Sequence, residues 1–519
     1  MTDRPITVTA ANGSVCSVDH HASAAGVEML RQGGNAVDAA IATSAALAVT
    51  TQHMCGLGGD LFALVHTGAA PTPDCLNASG HAGRGADPAR LRAEGHETMP
   101  FRGDIRSVPV PGCVDGWTAL HQRHGRLPFT TVLAPAIDLA VDGFEVPRHL
   151  AKASERIAGV VGAENYQGLR QGDILRRPDI AESLRTIATD GRDGWYLGAF
   201  GNALVAFGEG EFSHEDLEHN QATWVDPLSL DAWGHRLWTV PPNSQGYLSL
   251  AAAGILQGIE LPAEESSAWA HLHIEAAKLA AYDRPAVLHD RAVGTALLAE
   301  PRLAERRRAL DPERAQAMSG DYRGGGTIYL CATDRDGVGV SLIQSNASGF
   351  GAHLVVPGTG VFLHNRGLGF SLQAGHPAEY GPGRRPPHTL SPALVTRPDG
   401  SLRTVLGTMG GDAQPQIVLQ MLSRLLAGHA TPGEVLARPR WVIESTNSNG
   451  FNTWDALDEL VVVIEPEGRP WVDRLSALGH RVDCRPVNAG HAHLIDIGTD
   501  GTHHGAAEPR ISTAAALSP

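Results

Sequence analysis

The chain carries no block of basic residues, and its formal net charge is −15 over 519 residues. That balance argues against a nucleic-acid or anionic-membrane partner. Cysteine is scarce: Cys16, Cys55, Cys75, Cys113, Cys331 and Cys484 are dispersed, with no Cys-x-x-Cys pair. A disulfide framework and a thiolate zinc site are thereby disfavoured, and reduced thiols are expected. The longest apolar, Ala-rich run, near Val37–Thr50, is interrupted by Asp38, Thr43 and Ser44. It falls short of the roughly 20 residues a membrane span needs and reads as a buried helix. No apolar signal core precedes the strand-like start, so a cytoplasmic location is the expectation. Neither a Gly-x-Ser-x-Gly elbow nor a properly spaced dinucleotide or phosphate loop occurs. His491-Ala-His493 and His503-His504 have no third acidic or thiol ligand at suitable spacing, so neither metal nor other cofactor is expected.

What the chain does contain is 60 Gly and 33 Pro without a low-complexity tract, the mark of many tight connections in a globular protein. Residues 6–10 predict a first strand, and Asp19 an N-cap for a helix ending at Gly33-Gly34. A second helix is expected over about 36–50. Gln52-His-Met-Cys-Gly-Leu-Gly-Gly-Asp60 then leads into a strand over Leu61–Val65, its glycines suited to close packing or to a site wall. Further helices are read near 117–124, 129–141, 248–256 and 267–283. Arg302–Asp321 is charged and Arg-rich and is expected to be exposed. A strand at Arg403–Leu406 runs into Gly407-Thr-Met-Gly-Gly-Asp412 and then a helix from about Ala413 to Leu426. Strand, double glycine, helix start is a geometry that turns backbone N–H groups toward an anion or oxyanion. Strands near 459–464 and 492–497 complete a layered α+β fold.

The stretch on which these elements converge is Gly324–Gly351. Three glycines precede Thr327-Ile-Tyr-Leu-Cys-Ala-Thr333, a turn at Asp334–Gly337, and Val338-Gly-Val-Ser-Leu-Ile-Gln-Ser345, a hairpin pattern. Taken alone, this is as well explained by an ordinary Gly-rich turn. A hydroxyl residue opening a strand behind three glycines also suggests self-cleavage at Gly326–Thr327. The freed α-amine, with a reference pKa of about 7.7–8.0, would give Thr327 the base that a lone hydroxyl lacks.

Six blocks in one order carry a resemblance. They are Gly33-Gly-Asn-Ala-Val-Asp-Ala-Ala40, Gly56-Leu-Gly-Gly-Asp60, Val108-Pro-Val-Pro-Gly112, Gly326-Thr327, Pro386-Pro-His-Thr-Leu-Ser-Pro392 and Gly407-Thr-Met-Gly-Gly411. Together the chain resembles the γ-glutamyltranspeptidase family of N-terminal-nucleophile hydrolases. The resemblance implies an αββα sandwich made as a proenzyme. Residues 1–326 would become a large subunit and 327–519 a small one, the two intertwined in one structural domain, and it admits a homodimer of such pairs. It implies Thr327 as nucleophile, Ser345 as the second hydroxyl beside it, and Gly410 and Gly411 as the oxyanion hole.

The glutamyl anchors do not carry over. The arginine for the substrate α-carboxylate falls on Ser79, the aspartate for the α-amine on Gly369, and the paired serines on His388 and Thr389. An asparagine near the nucleophile becomes Ala347. The expectation is therefore the amidohydrolase and acylase-like branch, acting on a small, carboxylate-bearing, oxamate-like amide. Arg84, Arg366 and Arg385 are candidates to bind the carboxylate, with His388 and Thr389 beside them. A true γ-glutamyltransferase and an uncleaved, non-catalytic homologue are the alternatives.

Overall fold

The computed structural model describes residues 5–262, 266–316, 327–445, 451, 453–455, 457–487 and 489–519. Two seven-stranded antiparallel sheets form its centre. The first runs Ala515–Leu517, Gly13–Ser17, Ile328–Asp334, Gly339–Ser345, Asp60–His66, Asp74–Ala78 and Thr223–Val225. The second runs Thr7–Ala10, His503–Ala506, Ala492–Ile497, Leu402–Thr408, Ala393–Thr396, His235–Thr239 and Leu228–Ala232. Both sheets contain strands from before and after Thr327.

Side-chain alternation sorts the core into layers. Ile328, Leu330 and Ala332 point outward and pack beneath the helices His20–Arg31, Ala36–Thr50, Cys113–His124 and Phe129–Asp142. Tyr329, Cys331, Ile343, Phe62 and Leu64 point the other way and meet Leu394, Val405 and Ile495 of the second sheet. Beyond the second sheet lie Tyr247–Leu256, Ser267–Ala281 and Gln414–Leu426. The result is helix, sheet, sheet, helix: the αββα sandwich.

Local signals explain the helices. Asp19 accepts from the amides of His21 (3.0 Å) and Ala22 (3.2 Å) at the first helix start. Asn35 and Asp38 form a reciprocal capping box on the second. That helix is buried all round, which is why its sequence is apolar without a polar face. Ser44 on it donates to Gln344 Oε1 at 2.7 Å and accepts from Trp117 Nε1 at 2.7 Å, tying the helical layer to the sheet. Among the described residues no helix is long and apolar enough to cross a membrane.

Two departures from expectation have physical causes. Gly13–Ser17, buried at every position, shows no polar alternation and is passed over by a pattern reading. Within Arg302–Asp321, Glu300–Ala309 is a helix whose Arg306 is buried rather than exposed. Arg306 donates to the carbonyls of Leu279 (2.7 Å) and Ala280 (2.8 Å) and to Asp283 (2.7 Å). Residues 317–321 lie outside the described residues.

One buried ion network closes the C-terminal side. Arg440 Nη1 donates to Glu508 Oε2 (2.8 Å) and to the carbonyls of Ala489 (3.0 Å) and Gly490 (3.2 Å). Arg510 bridges Glu508 and Glu465. Burial alone would raise the Glu508 carboxyl, yet Arg440 and Arg510 hold it at about 2. A depressed carboxyl stabilises the fold above its unfolded pKa and loses that contribution as pH falls toward the folded value, here from about 4.5 to about 2. The shift corresponds to about 3 kcal/mol. Glu508→Gln is therefore expected to lower the urea midpoint strongly at pH 7. The gap to wild type should narrow below pH 4.5, as followed by tryptophan fluorescence.

Candidate active site

Four adjacent strands of the first sheet end in one row of polar side chains. Ile328 pairs with Gln344, which sets Thr327 opposite Ser345, and Ser345 pairs with Asp60. The Leu61–Ala78 pair carries the row on to Ser79. In-register partners share a face, so all four continue the layer between the sheets. Thr327 Oγ1 lies 3.0 Å from Ser345 Oγ, and both residues are fully buried. Ser345 Oγ also accepts from the amide of Ala347 at 2.8 Å. Gly59 makes the close approach possible, because a Cβ there would fall 2.3 Å from Ser345 O.

Gly410 and Gly411 lie where the Leu402–Thr408 strand of the second sheet gives way to the Gln414–Leu426 helix. Their φ angles, 140° and 57°, are ones that side chains resist. Among the described residues neither amide N–H has an acceptor, as expected for the first turn of a helix. Gln245 Nε2 bonds the carbonyls of Gly411 (3.0 Å) and Thr389 (3.1 Å), joining this turn to the Pro386–Pro392 loop. Arg284, buried, holds Gln245 Oε1 at 2.9 Å and lies 3.1 Å from Asp412. Gly490, carried by Arg440, packs against Gly410 from behind.

The substrate-side candidates separate. Arg366, His388 and Thr389 come together, all buried, around Asp60. Asp60 Oδ2 accepts from Arg366 Nε (2.7 Å), His388 Nε2 (3.0 Å) and His364 Nδ1 (3.1 Å), while Arg366 Nη1 donates to Thr389 Oγ1 (3.0 Å). Burial opposes charge on Asp60, but Arg366, His388 and the hydrogen bond from His364 hold its carboxyl well below the usual range. Burial and the neighbouring Arg366 push His388 down to about 3, and its ring edge meets Phe62. Arg84 is elsewhere: its guanidinium is half exposed and pairs with Glu215 and Asp216. Arg385 donates to Ser79 Oγ at 2.9 Å, so a guanidinium from another loop reaches position 79. Gly369 would place a Cβ 2.2 Å from Pro387 O, which forbids a side chain there. Gly326 lies outside the described residues.

Asp60, His364, Gln245 and Arg284 are the site residues that sequence reading did not assign. A signal existed only for Asp60, the one acidic residue at the mouth of an otherwise apolar strand. Of the histidines flagged by sequence, His503 bonds Thr333 Oγ1 at 2.8 Å, His504 bonds Thr9 Oγ1 at 3.3 Å, and His493 Nδ1 accepts from the Glu508 amide at 3.2 Å. Among the described residues the group with metal-like spacing is instead His271, Glu275 and His480. There Glu275 already holds the Lys278 ammonium at 2.6 Å, and His271 bonds His480 at 2.8 Å.

The γ-glutamyltranspeptidase family model matches residues 22–518. The chain is 34% identical to the glutathione hydrolase-like YwrD proenzyme of Bacillus subtilis, over 96% of this chain and 97% of that one. It is 33% identical to the oxamate amidohydrolase proenzyme of Klebsiella pneumoniae, over 97% and 98% respectively. A crystal structure of cephalosporin acylase from Bacillus halodurans superposes with a TM-score of 0.90 at 33% identity, covering 100% of this chain and 98% of that one. A buried hydroxyl pair at the end of one sheet, a double-glycine turn between strand and helix of the other, and these likenesses lead to one conclusion: the chain belongs to the γ-glutamyltranspeptidase family and is an amidohydrolase or acylase of the N-terminal-nucleophile fold.

Proposed function

We propose that the chain cuts itself at Gly326–Thr327 and then hydrolyses a small, oxamate-like amide through an acyl-enzyme on Thr327. The observation that carries this reading is the 3.0 Å contact between the Thr327 and Ser345 hydroxyls, both buried. A buried hydroxyl has a partner to orient it, and the resemblance assigns the Gly410-Gly411 turn as the oxyanion hole beside it. That arrangement suits a proenzyme, in which the site opens only after the bond behind it is cut.

In the processed form, Thr327 Oγ attacks the amide carbonyl while the freed α-amine takes the hydroxyl proton. Negative charge developing on the carbonyl oxygen is met by the Gly410 and Gly411 amides, each such donor contributing about 2.7–4 kcal/mol in comparable sites. The leaving amine takes the proton back as the C–N bond breaks. Water then cleaves the Thr327 ester, with the α-amine again as base, and the acid is released. Ser345 positions the nucleophile. His388 and Thr389 wall the acyl side, with Arg366 behind them, and Arg84 takes no part.

The oxamate-like substrate is drawn from the 33% identical oxamate amidohydrolase relative. A γ-glutamyl donor is the second reading, favoured by Arg385 standing on Ser79. Trapping the acyl-enzyme with oxamyl and γ-glutamyl donors, read by mass spectrometry at Thr327, decides between them: the oxamyl adduct is expected to predominate.

Two outcomes test the chemistry. On a denaturing gel the wild type should yield fragments of about 34 and 20 kDa, the shares of 54.7 kDa on either side of the bond. Thr327→Ala should remain a single full-length band after prolonged incubation. Ser345→Ala should process slowly and lose about 10- to 100-fold in kcat, the cost of one hydrogen bond to a reacting group. For the wild type, kcat/KM should fall on the acid side of an amine titration near its reference value of about 7.7–8.0, since only the neutral amine accepts a proton.

A further inference from the structure

The polar row beside the nucleophile has a direction. Neighbouring strands lie about 4.8 Å apart, so Asp60 stands two strands, about 10 Å, from Thr327, and Ser79 about 14 Å. On the other side, the next strand, Gly13–Ser17, gives way to the Asp19-capped helix. An acyl group held on Thr327 and lying along the row passes Ser345 and meets Asp60.

At that point the protein has already placed a carboxylate. Asp60 is fully buried, its Oδ2 takes three donors, and its Oδ1 lies 3.5 Å from Arg366 Nη2. Arg366 is committed in turn: Nε and Nη2 face Asp60, Nη1 faces Thr389, and the guanidinium lies 5.3 Å from the Phe451 ring. Neither partner can turn toward a ligand without leaving the other charged and unpaired in the interior.

We propose that Asp60 is a built-in occupant of the anion position along the acyl pocket. It makes the enzyme select short acyl groups and reject extended ones that end in a carboxylate. An oxamyl carboxylate sits next to the reacting carbonyl and never reaches Asp60. A glutaryl or γ-glutamyl chain carries its carboxylate several bonds further, toward a fixed like charge and an arginine that is not available to it. Asp60 is thus a specificity-determining residue that acts through Arg366. The inference rests on Thr327 being the nucleophile, as proposed above.

The experiment compares glutaryl anilide with the uncharged pentanoyl anilide of equal length, in processed wild type, Asp60→Asn and the charge-neutral double variant Asp60→Asn/Arg366→Gln. Calorimetric binding of glutarate is measured in parallel. Asp60→Asn frees the guanidinium, so the glutaryl-to-pentanoyl ratio of kcat/KM is expected to rise at least tenfold, and glutarate to bind at least tenfold tighter. The double variant, which removes the like charge without freeing a cation, should raise the ratio by about threefold and serves if the single variant does not fold. A ratio and a glutarate affinity that stay within twofold of wild type in a folded variant would overturn the proposal and leave Asp60 a purely structural ion. Absence of Thr327-dependent turnover of every anilide would sink the nucleophile reading instead, and glutarate binding would then decide the role of Asp60 on its own.

Discussion

Everything at this site depends on the antiparallel register that sets Ser345 between Thr327 and Asp60. In a sheet the side chains alternate faces, so a slip of one residue would send each of these groups to the opposite side. The register is pinned on both faces. Phe62, Tyr329 and Ile343 interlock with the second sheet, while Leu61, Ile328 and Leu342 pack beneath the helices. Gln344, the residue before Ser345, is itself held from the helical layer through Ser44 and Cys113. A catalytic row built on paired strands gains from this rigidity what a loop could not supply.

The second sheet contributes through charges rather than through paired strands. Arg284 with Gln245 and Asp412, and Arg440 with Glu508, bury ions around the glycine turn at the end of its Leu402–Thr408 strand, while Arg366 is buried against Asp60 of the first sheet. Buried pairs of this kind are poor sources of net stability, because desolvation cancels most of their attraction. Their effect is geometric. Arg440 fixes the carbonyls of Ala489 and Gly490 behind Gly410, Asp412 accepts from the Thr453 amide, and Arg366 fixes the Thr389 hydroxyl. The glycine turn is thereby braced from behind without side chains of its own.

Membership of a family and choice of substrate separate here along a physical line. The proposed attack on a carbonyl needs a hydroxyl, a partner and two amides; the chain pairs the Thr327 and Ser345 hydroxyls at 3.0 Å and carries a Gly410-Gly411 turn between a strand and a helix. The acyl side is rebuilt. Position 79 lacks its arginine and receives Arg385 from another loop, and Gly369 is closed to any side chain by Pro387 O. A buried aspartate meanwhile engages Arg366.

What the sequence by itself determined is whatever short-range physics writes into neighbouring residues. The Asp19 and Asn35 caps, the Thr327–Ser345 hairpin and the Gly407–Asp412 strand-to-helix turn are local, and the layered fold followed from their order. The six blocks singled out Thr327, Ser345, Gly410 and Gly411 as candidates from the order of short motifs alone. Only the tertiary structure decided which arginine faces what. Arg84, Arg366 and Arg385 look alike in sequence, yet one pairs on the surface, one is locked to Asp60 and one reaches position 79. Long side chains are committed by partners hundreds of residues away, and spacing along the chain holds no record of that pairing.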